Sequence, residues 1–254
     1  MRTVDSEGVK IRYRLVGHGK PLVLVHGYTA SARTQWDLTG WVSFLAPRHR
    51  LLLLDVRGHG ESEKPRRQDA YSLSLMGTDV LAAMDAAGFE QADIMGYSMG
   101  AMITMDLLLE DGSRFDRAVL GGMGAAWPTS RREDCREWED RDAPRMWHNP
   151  LEWARSWAYF ARHYDHRAMR ALAENTFRDG PVDPDRLHEI QHPVLSVVGT
   201  RDRFCRGTAL LAERLPNCES VKLSGRGHVT AGRDPRFKEA VRGFLDRGGV
   251  GRKP

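Results

Sequence analysis

The sequence predicts an α/β fold in which a mostly parallel central sheet is covered by helices on both faces. Short continuous apolar runs, such as 22–25 and 51–54, alternate along the chain with longer segments of helical periodicity. A strand that forms an unbroken apolar run is typical of a parallel sheet buried on both faces. With 254 residues, the chain has the length of one large domain, or of one domain that carries an insertion.

The first half of the chain alternates between strand and helix patterns. Residues 9–15 alternate between apolar and polar side chains, which favours a half-exposed edge strand. Residues 72–87 have helical periodicity, with an apolar stripe that includes Val80 and Met84. The other elements predicted in this half are strands over 22–25, 51–54 and 92–97, and a helix over 99–109.

The second half continues this pattern after one long interruption. Between 125 and 190 no core-type strand is predicted, and five of the seven tryptophans lie there. Pro150 suits the first turn of a helix, in which Trp153, Trp157 and Phe160 share one face. We therefore expect a helical insertion over one end of the sheet. The other elements predicted in this half are strands over 118–120, 194–198 and 220–223, and helices over 167–176, 210–215 and 237–245.

These patterns divide the chain into a core, a cap and a tail. The core is expected over 1–124 and 191–247, and the helical cap over 125–190. Residues 248–254 are rich in glycine and basic side chains and lack apolar periodicity, so we expect a flexible basic tail.

Composition excludes several classes of site. Cys135, Cys205 and Cys218 have unrelated spacings and no CxxC pattern, so neither a disulfide framework nor a zinc site is indicated. The net charge is +4, but acidic and basic residues are interleaved, as on a solvated mixed surface. The polar N-terminal segment predicts no secretory signal, and the apolar runs are too short to span a bilayer. We expect a cytoplasmic protein with a small-molecule substrate, no metal or cofactor, and neither nucleic acid nor membrane as partner.

The strongest motif is Gly96-Tyr97-Ser98-Met99-Gly100, which lies between a predicted strand and a predicted helix. A chain that turns sharply from strand to helix needs glycine on both sides of the turn and leaves the serine in a strained, exposed geometry. The new helix also directs its unpaired N–H groups toward an oxyanion formed there. This context favours a nucleophilic role for Ser98 over a simple glycine-rich turn.

A serine nucleophile needs a base and an orienting carboxylate, and both follow later in the chain. Asp202 comes directly after the strand predicted over 194–198, and His228 follows the strand predicted over 220–223. The order Ser, Asp, His places all three at the carboxyl edge of the sheet, where open α/β sheets bind ligands. The alternatives are a structural role for His228 and, for Asp202, a turn residue or an ion-pair partner of the adjoining Arg201 or Arg203. His26 and His59 lie in early loops and are weaker candidates for the base.

The sequence resembles the α/β-hydrolase superfamily over nearly its whole length, in the small cap-bearing branch of esterases, lactonases and haloperoxidase-like enzymes. His26-Gly27-Tyr28 resembles the family segment after the third strand, and the resemblance implies that the Tyr28 and Met99 N–H groups form an oxyanion hole. The segment 55–62 is similar to a structural turn of the family and receives no catalytic role. The family commonly has a proline shortly after the acid, where Arg203-Phe204-Cys205 stands here.

These residues predict a serine hydrolase that cleaves an ester or lactone of a small apolar substrate through an acyl-enzyme. Lactonase, thioesterase and cofactor-free perhydrolase activities use the same three groups and are alternatives. A ligand-binding protein of hydrolase fold with little turnover is a second alternative. Trp127, Trp153 and Trp157 are candidates for the substrate pocket; packing of the cap alone is the other interpretation.

Overall fold

The computed structural model describes residues 1–124, 162–177 and 182–247, and over these residues one eight-stranded sheet forms the centre of the molecule. The strand order is β1-β2-β4-β3-β5-β6-β7-β8. The strands are β1 (Arg2–Ser6), β2 (Val9–Val16), β3 (Lys20–Val25), β4 (His49–Asp55), β5 (Ala92–Tyr97), β6 (Phe115–Gly121), β7 (Val194–Gly199) and β8 (Cys218–Leu223). From β4 through β8 every neighbouring pair is parallel, whereas β1 and β2 pair antiparallel with their neighbours.

Helices cover the sheet and confirm the predicted α/β fold. They are α1 (Trp41–Leu45), α2 (Leu73–Ala87), α3 (Met99–Glu110), α4 (His166–Thr176), α5 (Gly207–Arg214), α6 (His228–Ala231) and α7 (Pro235–Asp246). A π-helical turn spans Arg33–Asp37, and 3₁₀ turns span Gln68–Ala70, Gly112–Arg114, Pro184–Glu189 and Arg203–Cys205. None of the helices in these ranges is long and apolar enough to cross a membrane.

The prediction that residues 9–15 form an edge strand is wrong in its position. These residues do form β2, but β2 lies between β1 and β4, with Val4 of β1 opposite Ile11 of β2. The edge strand is β1, whose sequence Arg-Thr-Val-Asp-Ser is mostly polar and exposed. An edge strand that exposes polar side chains lacks the apolar alternation by which a strand is recognised, so the sequence did not predict it.

Alternate residues of the central strands build two apolar cores, one on each face of the sheet. In β3, Val23 and Val25 pack into the core that contains α2 and α3. Leu22 and Leu24 point to the other face, where Trp36 and Trp41 are fully buried. Because successive side chains of a strand point to opposite faces, a strand in the middle of this sheet needs an apolar residue at every position.

A buried ion pair joins the loop after β4 to α2. Arg57 Nη2 lies 2.7 Å from Asp79 Oδ1, and Arg57 Nε donates to Asp79 Oδ2 at 2.8 Å. The two side chains are 2% and 0% exposed. Arg57 Nη1 also donates to the carbonyl of Ala70 at 3.1 Å, so the guanidinium fixes three chain segments at one point.

Replacing Asp79 by Leu should lower the free energy of unfolding by about 3–5 kcal/mol, because Arg57 would then be buried without its counter-charge. The double variant Arg57→Met/Asp79→Leu removes both buried charges and should recover a large part of that loss. Urea unfolding measures the free energy of unfolding of both variants.

The control is an exposed ion pair on the same helix, between Asp85 and Arg114. Asp85→Ala should lower the free energy of unfolding by less than about 1 kcal/mol. Equal losses in the single and double variants would contradict this account.

Candidate active site

Ser98 lies at the turn that joins β5 directly to α3. Its backbone has φ 55° and ψ −117°, a left-handed region that side chains with a Cβ rarely adopt. Such a conformation costs on the order of 1–3 kcal/mol and persists where the surrounding structure enforces it. The Ser98 N–H donates to the carbonyl of Gly121 at 2.8 Å, which fixes the turn against the end of β6.

The two glycines of the motif are required by close approach of the backbone. A Cβ added to Gly96 would lie 2.1 Å from the Gly100 carbonyl oxygen, and one added to Gly100 would lie 2.1 Å from the carbonyl oxygen of Val25. These distances leave no room for a side chain. The beginning of α3 therefore packs directly against the end of β3, as the sequence predicts for a sharp strand-to-helix turn.

The structure brings Ser98, His228 and Asp202 into one hydrogen-bonded chain. His228 Nδ1 lies 2.8 Å from Asp202 Oδ2, and His228 Nε2 lies 3.0 Å from Ser98 Oγ. An ionised carboxylate only accepts hydrogen bonds, so the proton belongs on Nδ1, and Nε2 is left to accept from the serine hydroxyl.

Asp202 is fully enclosed, whereas the imidazole beside it stays accessible. The Asp202 side chain is 0% exposed and that of His228 is 16% exposed. The second carboxylate oxygen of Asp202, Oδ1, accepts from the Phe204 N–H at 3.0 Å. Both oxygens therefore have donors, which a buried carboxylate requires, and the accessible end of the chain is the serine.

Two peptides carry their N–H groups close to Ser98. The Met99 N–H is at the first position of α3, where an N–H group has no partner within its helix. A Cβ placed on Gly27 would lie 3.3 Å from the Ser98 Cβ, so the Gly27–Tyr28 peptide also runs past the serine. The peptides that carry the Tyr28 and Met99 N–H groups thus both lie beside the serine.

His26 fixes the orientation of the Gly27–Tyr28 peptide. Its Nε2 accepts from the Val56 N–H at 3.0 Å, so the ring proton is on Nδ1, which donates to the Gly27 carbonyl at 2.9 Å. In a trans peptide the C=O and the following N–H point in opposite directions. By holding the Gly27 carbonyl, His26 therefore directs the Tyr28 N–H away from itself.

His59 supports the same loop one residue further on. Its Nε2 accepts from the Thr29 N–H at 3.3 Å, and its Nδ1 donates to the Arg57 carbonyl at 3.1 Å. The rings of His26 and His59 lie 4.9 Å apart, edge to face. In the sequence these two histidines are only weaker candidates for the base, and no local pattern indicates that they hold this loop.

The described part of the predicted cap contacts this loop as well. The Tyr28 hydroxyl donates to the Met169 carbonyl of α4 at 3.0 Å, and the Tyr28 ring packs against Phe177 at 5.2 Å. A small cleft opens between the loop after Tyr28, the turn after β4 and the beginning of α4. The three candidate pocket residues, Trp127, Trp153 and Trp157, lie outside the described residues, as do most of the predicted cap and the predicted tail over 248–254.

Within residues 1–124, 162–177 and 182–247, no three His, Cys, Asp or Glu side chains form a group that could hold a metal ion. Cys205 and Cys218 are free thiols. Burial raises the pKa of the Cys218 thiol to about 11, which makes it a poor nucleophile.

The sequence of this chain is similar to a known protein family and to curated hydrolases. A sequence model of the family described as alpha/beta hydrolase fold matches residues 20–163. The 2-hydroxymuconate semialdehyde hydrolase of Pseudomonas sp. (strain CF600) is 29% identical over 137 residues, which are 53% of this chain and 47% of that protein. This chain thus spans about half the length of that relative. A pimeloyl-(acyl-carrier protein) methyl ester esterase of Xanthomonas oryzae pv. oryzae (strain MAFF 311018) is 24% identical, over 91% of this chain and 97% of the esterase.

Solved structures of hydrolases resemble this chain over nearly its whole length. Est816, described as an N-acyl homoserine lactone degrading enzyme, superposes with a TM-score of 0.79 at 27% identity, over 96% of this chain and 100% of its own. A meta-cleavage product hydrolase from Pseudomonas fluorescens IP01 has a TM-score of 0.77 at 20% identity, over 97% of both chains. At that identity the second likeness is one of fold.

The buried histidines make stability depend on pH. Burial lowers the pKa of His59 to about 3, whereas a histidine in an unfolded chain titrates near pH 6.5. Between these values the unfolded chain binds a proton that the folded chain does not, so the folded state loses up to about 1.4 kcal/mol per pH unit as the pH falls.

The variant His59→Gln cannot bind this proton. We expect wild type to exceed the variant in unfolding free energy at pH 7, and this difference to shrink at pH 6 and again at pH 5 in urea titrations. His188→Gln, at an exposed position, is the matched control. A difference between wild type and His59→Gln that stays constant from pH 7 to pH 5 would show that His59 does not titrate as its burial requires.

Proposed function

Because the chain belongs to the alpha/beta hydrolase fold family, we propose that it is a serine hydrolase that cleaves carboxylic ester or lactone bonds of a small apolar substrate. The observation that carries this proposal is the hydrogen-bonded chain from Asp202 through His228 to Ser98, at 2.8 and 3.0 Å. A free serine hydroxyl is a weak nucleophile, and a base held at this distance is what activates it.

The first half of the proposed reaction is acyl transfer to the enzyme. His228 Nε2 takes the hydroxyl proton as Ser98 Oγ attacks the carbonyl carbon, and the carbonyl π electrons move to oxygen. The C–O bond to the leaving alcohol then breaks, and His228 returns the proton to that oxygen. Asp202 keeps the imidazole in the required tautomer and stabilises its cationic form.

The negative charge that forms on the carbonyl oxygen needs donors that are already in place. The N–H groups of Tyr28 and Met99 are the candidates, and their orientations are fixed by the His26 contact and by the first turn of α3. One such donor is worth about 3 to 4 kcal/mol in comparable sites, because it is aimed at charge that develops only in the transition state.

The second half repeats these steps with water. His228 removes a proton from a water molecule, which attacks the acyl-enzyme carbonyl. The bond between the acyl carbon and Ser98 Oγ then breaks, His228 returns the proton to Oγ, and the carboxylic acid is released. In a lactone the leaving alcohol belongs to the same molecule as the acyl group, so hydrolysis opens the ring and releases one product. None of these steps requires a metal or an organic cofactor.

Esters and lactones are proposed as substrates because of the relatives that extend over most of this chain. The lactone-degrading Est816 and the methyl ester esterase each match more than 90% of its length. Trp127, Trp153 and Trp157 are proposed to supply the apolar surface of the pocket. Thioester hydrolysis and perhydrolysis require the same three groups and belong in the same substrate panel.

Ser98→Ala should lower kcat on p-nitrophenyl esters and on acyl lactones by several orders of magnitude, because the covalent step is lost. The matched control is Ser196→Ala on β7. Ser196 is fully buried, and its Oγ has no hydrogen-bond partner among the described residues, so this variant should keep near wild-type kcat. Wild-type activity in Ser98→Ala would refute the proposed nucleophile. A folded wild type that binds an ester without turnover would favour the ligand-binding alternative.

Asp202→Asn should preserve the fold but reduce kcat by about 10⁴-fold, since an amide in this position favours the wrong imidazole tautomer. A fluorophosphonate reagent provides a second readout that does not depend on the choice of substrate. Peptide mass analysis should find the reagent on Ser98 in wild type, much more slowly in Asp202→Asn, and not at all in Ser98→Ala. Labelling of Asp202→Asn at the wild-type rate would exclude Asp202 as the orienting acid.

A further inference from the structure

The base of the proposed mechanism lies on a short element that does not fix it by itself. His228 begins α6, a helix of four residues, and follows a loop that contains Gly225 and Gly227. A helix this short has few internal hydrogen bonds. Contacts from outside the helix must therefore hold His228 so that Nε2 stays near Ser98 Oγ.

Tyr97, which directly precedes the nucleophile, supplies one of these contacts. Its hydroxyl donates to the backbone carbonyl of His228 at 2.5 Å, across 131 positions of sequence. Its ring centroid lies 5.6 Å from that of the imidazole. One side chain therefore contacts both the backbone and the ring of His228.

The Tyr97 ring is buried and closely surrounded by neighbouring residues. A Cβ on Gly121 would lie 2.6 Å from a ring atom, and one on Gly122 would lie 2.8 Å from another. Tyr97 is only 4% exposed, and the Phe237 ring lies 6.2 Å from it. A ring that is enclosed in this way presents its hydroxyl at one fixed position, which is a condition for fixing His228.

Phe204 contacts the imidazole from the loop that carries the acid. Its ring centroid lies 5.4 Å from that of His228, and the side chain is 2% exposed. Its own N–H donates to Asp202 Oδ1 at 3.0 Å, which leaves Oδ2 for His228 Nδ1. Phe204 thus contacts the base with its side chain and the acid with its backbone.

We propose that Tyr97 and Phe204 are the positioning residues of His228. The Tyr97 hydroxyl holds the His228 carbonyl, and the rings of both residues pack against the imidazole. This inference rests on the proposed function, because it assigns these side chains to the geometry of the same base. A base must reach first the serine proton and then the leaving group, and small displacements of its Nε2 reduce the rate. The two residues do not touch the reacting atoms, so their effect is on kcat.

The test compares Tyr97→Phe, which removes only the hydroxyl, and Phe204→Leu, which removes the ring, with matched controls. Tyr71→Phe removes another buried hydroxyl that donates to a carbonyl, that of Pro65, at 2.6 Å. Phe89→Leu replaces another ring that is 2% exposed. We expect kcat on the best ester or lactone to fall about 5- to 30-fold in the two test variants with KM within about two-fold of wild type, and kcat to stay near wild type in the controls.

A spectroscopic readout makes the result independent of turnover. In protein labelled with ¹⁵N-histidine, the His228 Nδ1–H resonance, identified by its loss in Asp202→Asn, should shift or broaden in Tyr97→Phe and Phe204→Leu and stay unchanged in the controls. Unchanged kcat in both test variants, or a resonance identical to wild type in both, overturns the proposal. If wild type hydrolyses no ester or lactone, the proposed function fails, and the resonance alone decides the positioning role.

Discussion

The rest of the site depends on the direct packing of α3 against the end of β3. At this point Gly100 lies against the Val25 carbonyl, and Gly96 against the carbonyl of Gly100. Glycine at these two positions allows α3 to begin immediately after β5. The single residue at the turn then adopts a left-handed conformation. That residue is Ser98, and the same packing places the first N–H of α3 and the Gly27–Tyr28 peptide beside it.

The order of the strands explains how distant residues meet at this turn. Tyr28, Ser98, Asp202 and His228 follow β3, β5, β7 and β8, and in a parallel sheet the carboxyl ends of these strands lie at one edge. β6 separates β5 from β7, and it ends at Gly121, which is followed by Gly122. The absence of side chains at these two positions lets the Tyr97 ring extend from β5 toward His228.

Two buried neutral histidines hold the loop on the other side of the serine. His26 and His59 each accept one backbone N–H and donate to one carbonyl, so each joins two segments that are far apart in sequence. Burial lowers the pKa of both rings, and each ring therefore stays neutral with one donor and one acceptor nitrogen. A charged ring would have two donors and could not accept the Val56 or Thr29 N–H.

The sequence by itself determined the features that depend on local pattern. Strands β2 to β8 and the longer helices were predicted by their periodicity, because burial on one or both faces is repeated along the chain, and the strand–serine–helix turn was predicted by glycine spacing. The short helices α1 and α6 were not predicted. Chain order also predicted that Asp202 and His228 would lie at the edge that carries Ser98. The edge strand β1 was not predicted, since an exposed polar strand has no apolar repeat.

Only the tertiary structure decided which side chains support this site. Nothing near Tyr97 in sequence indicates a hydrogen bond to the carbonyl of His228, and nothing near His59 indicates one from Thr29. Such contacts join residues from separate elements, and their distances depend on strand order, twist and the space left by glycines elsewhere. Local patterns record which side of an element is buried, whereas the identity of the neighbour on that side is a property of the whole fold.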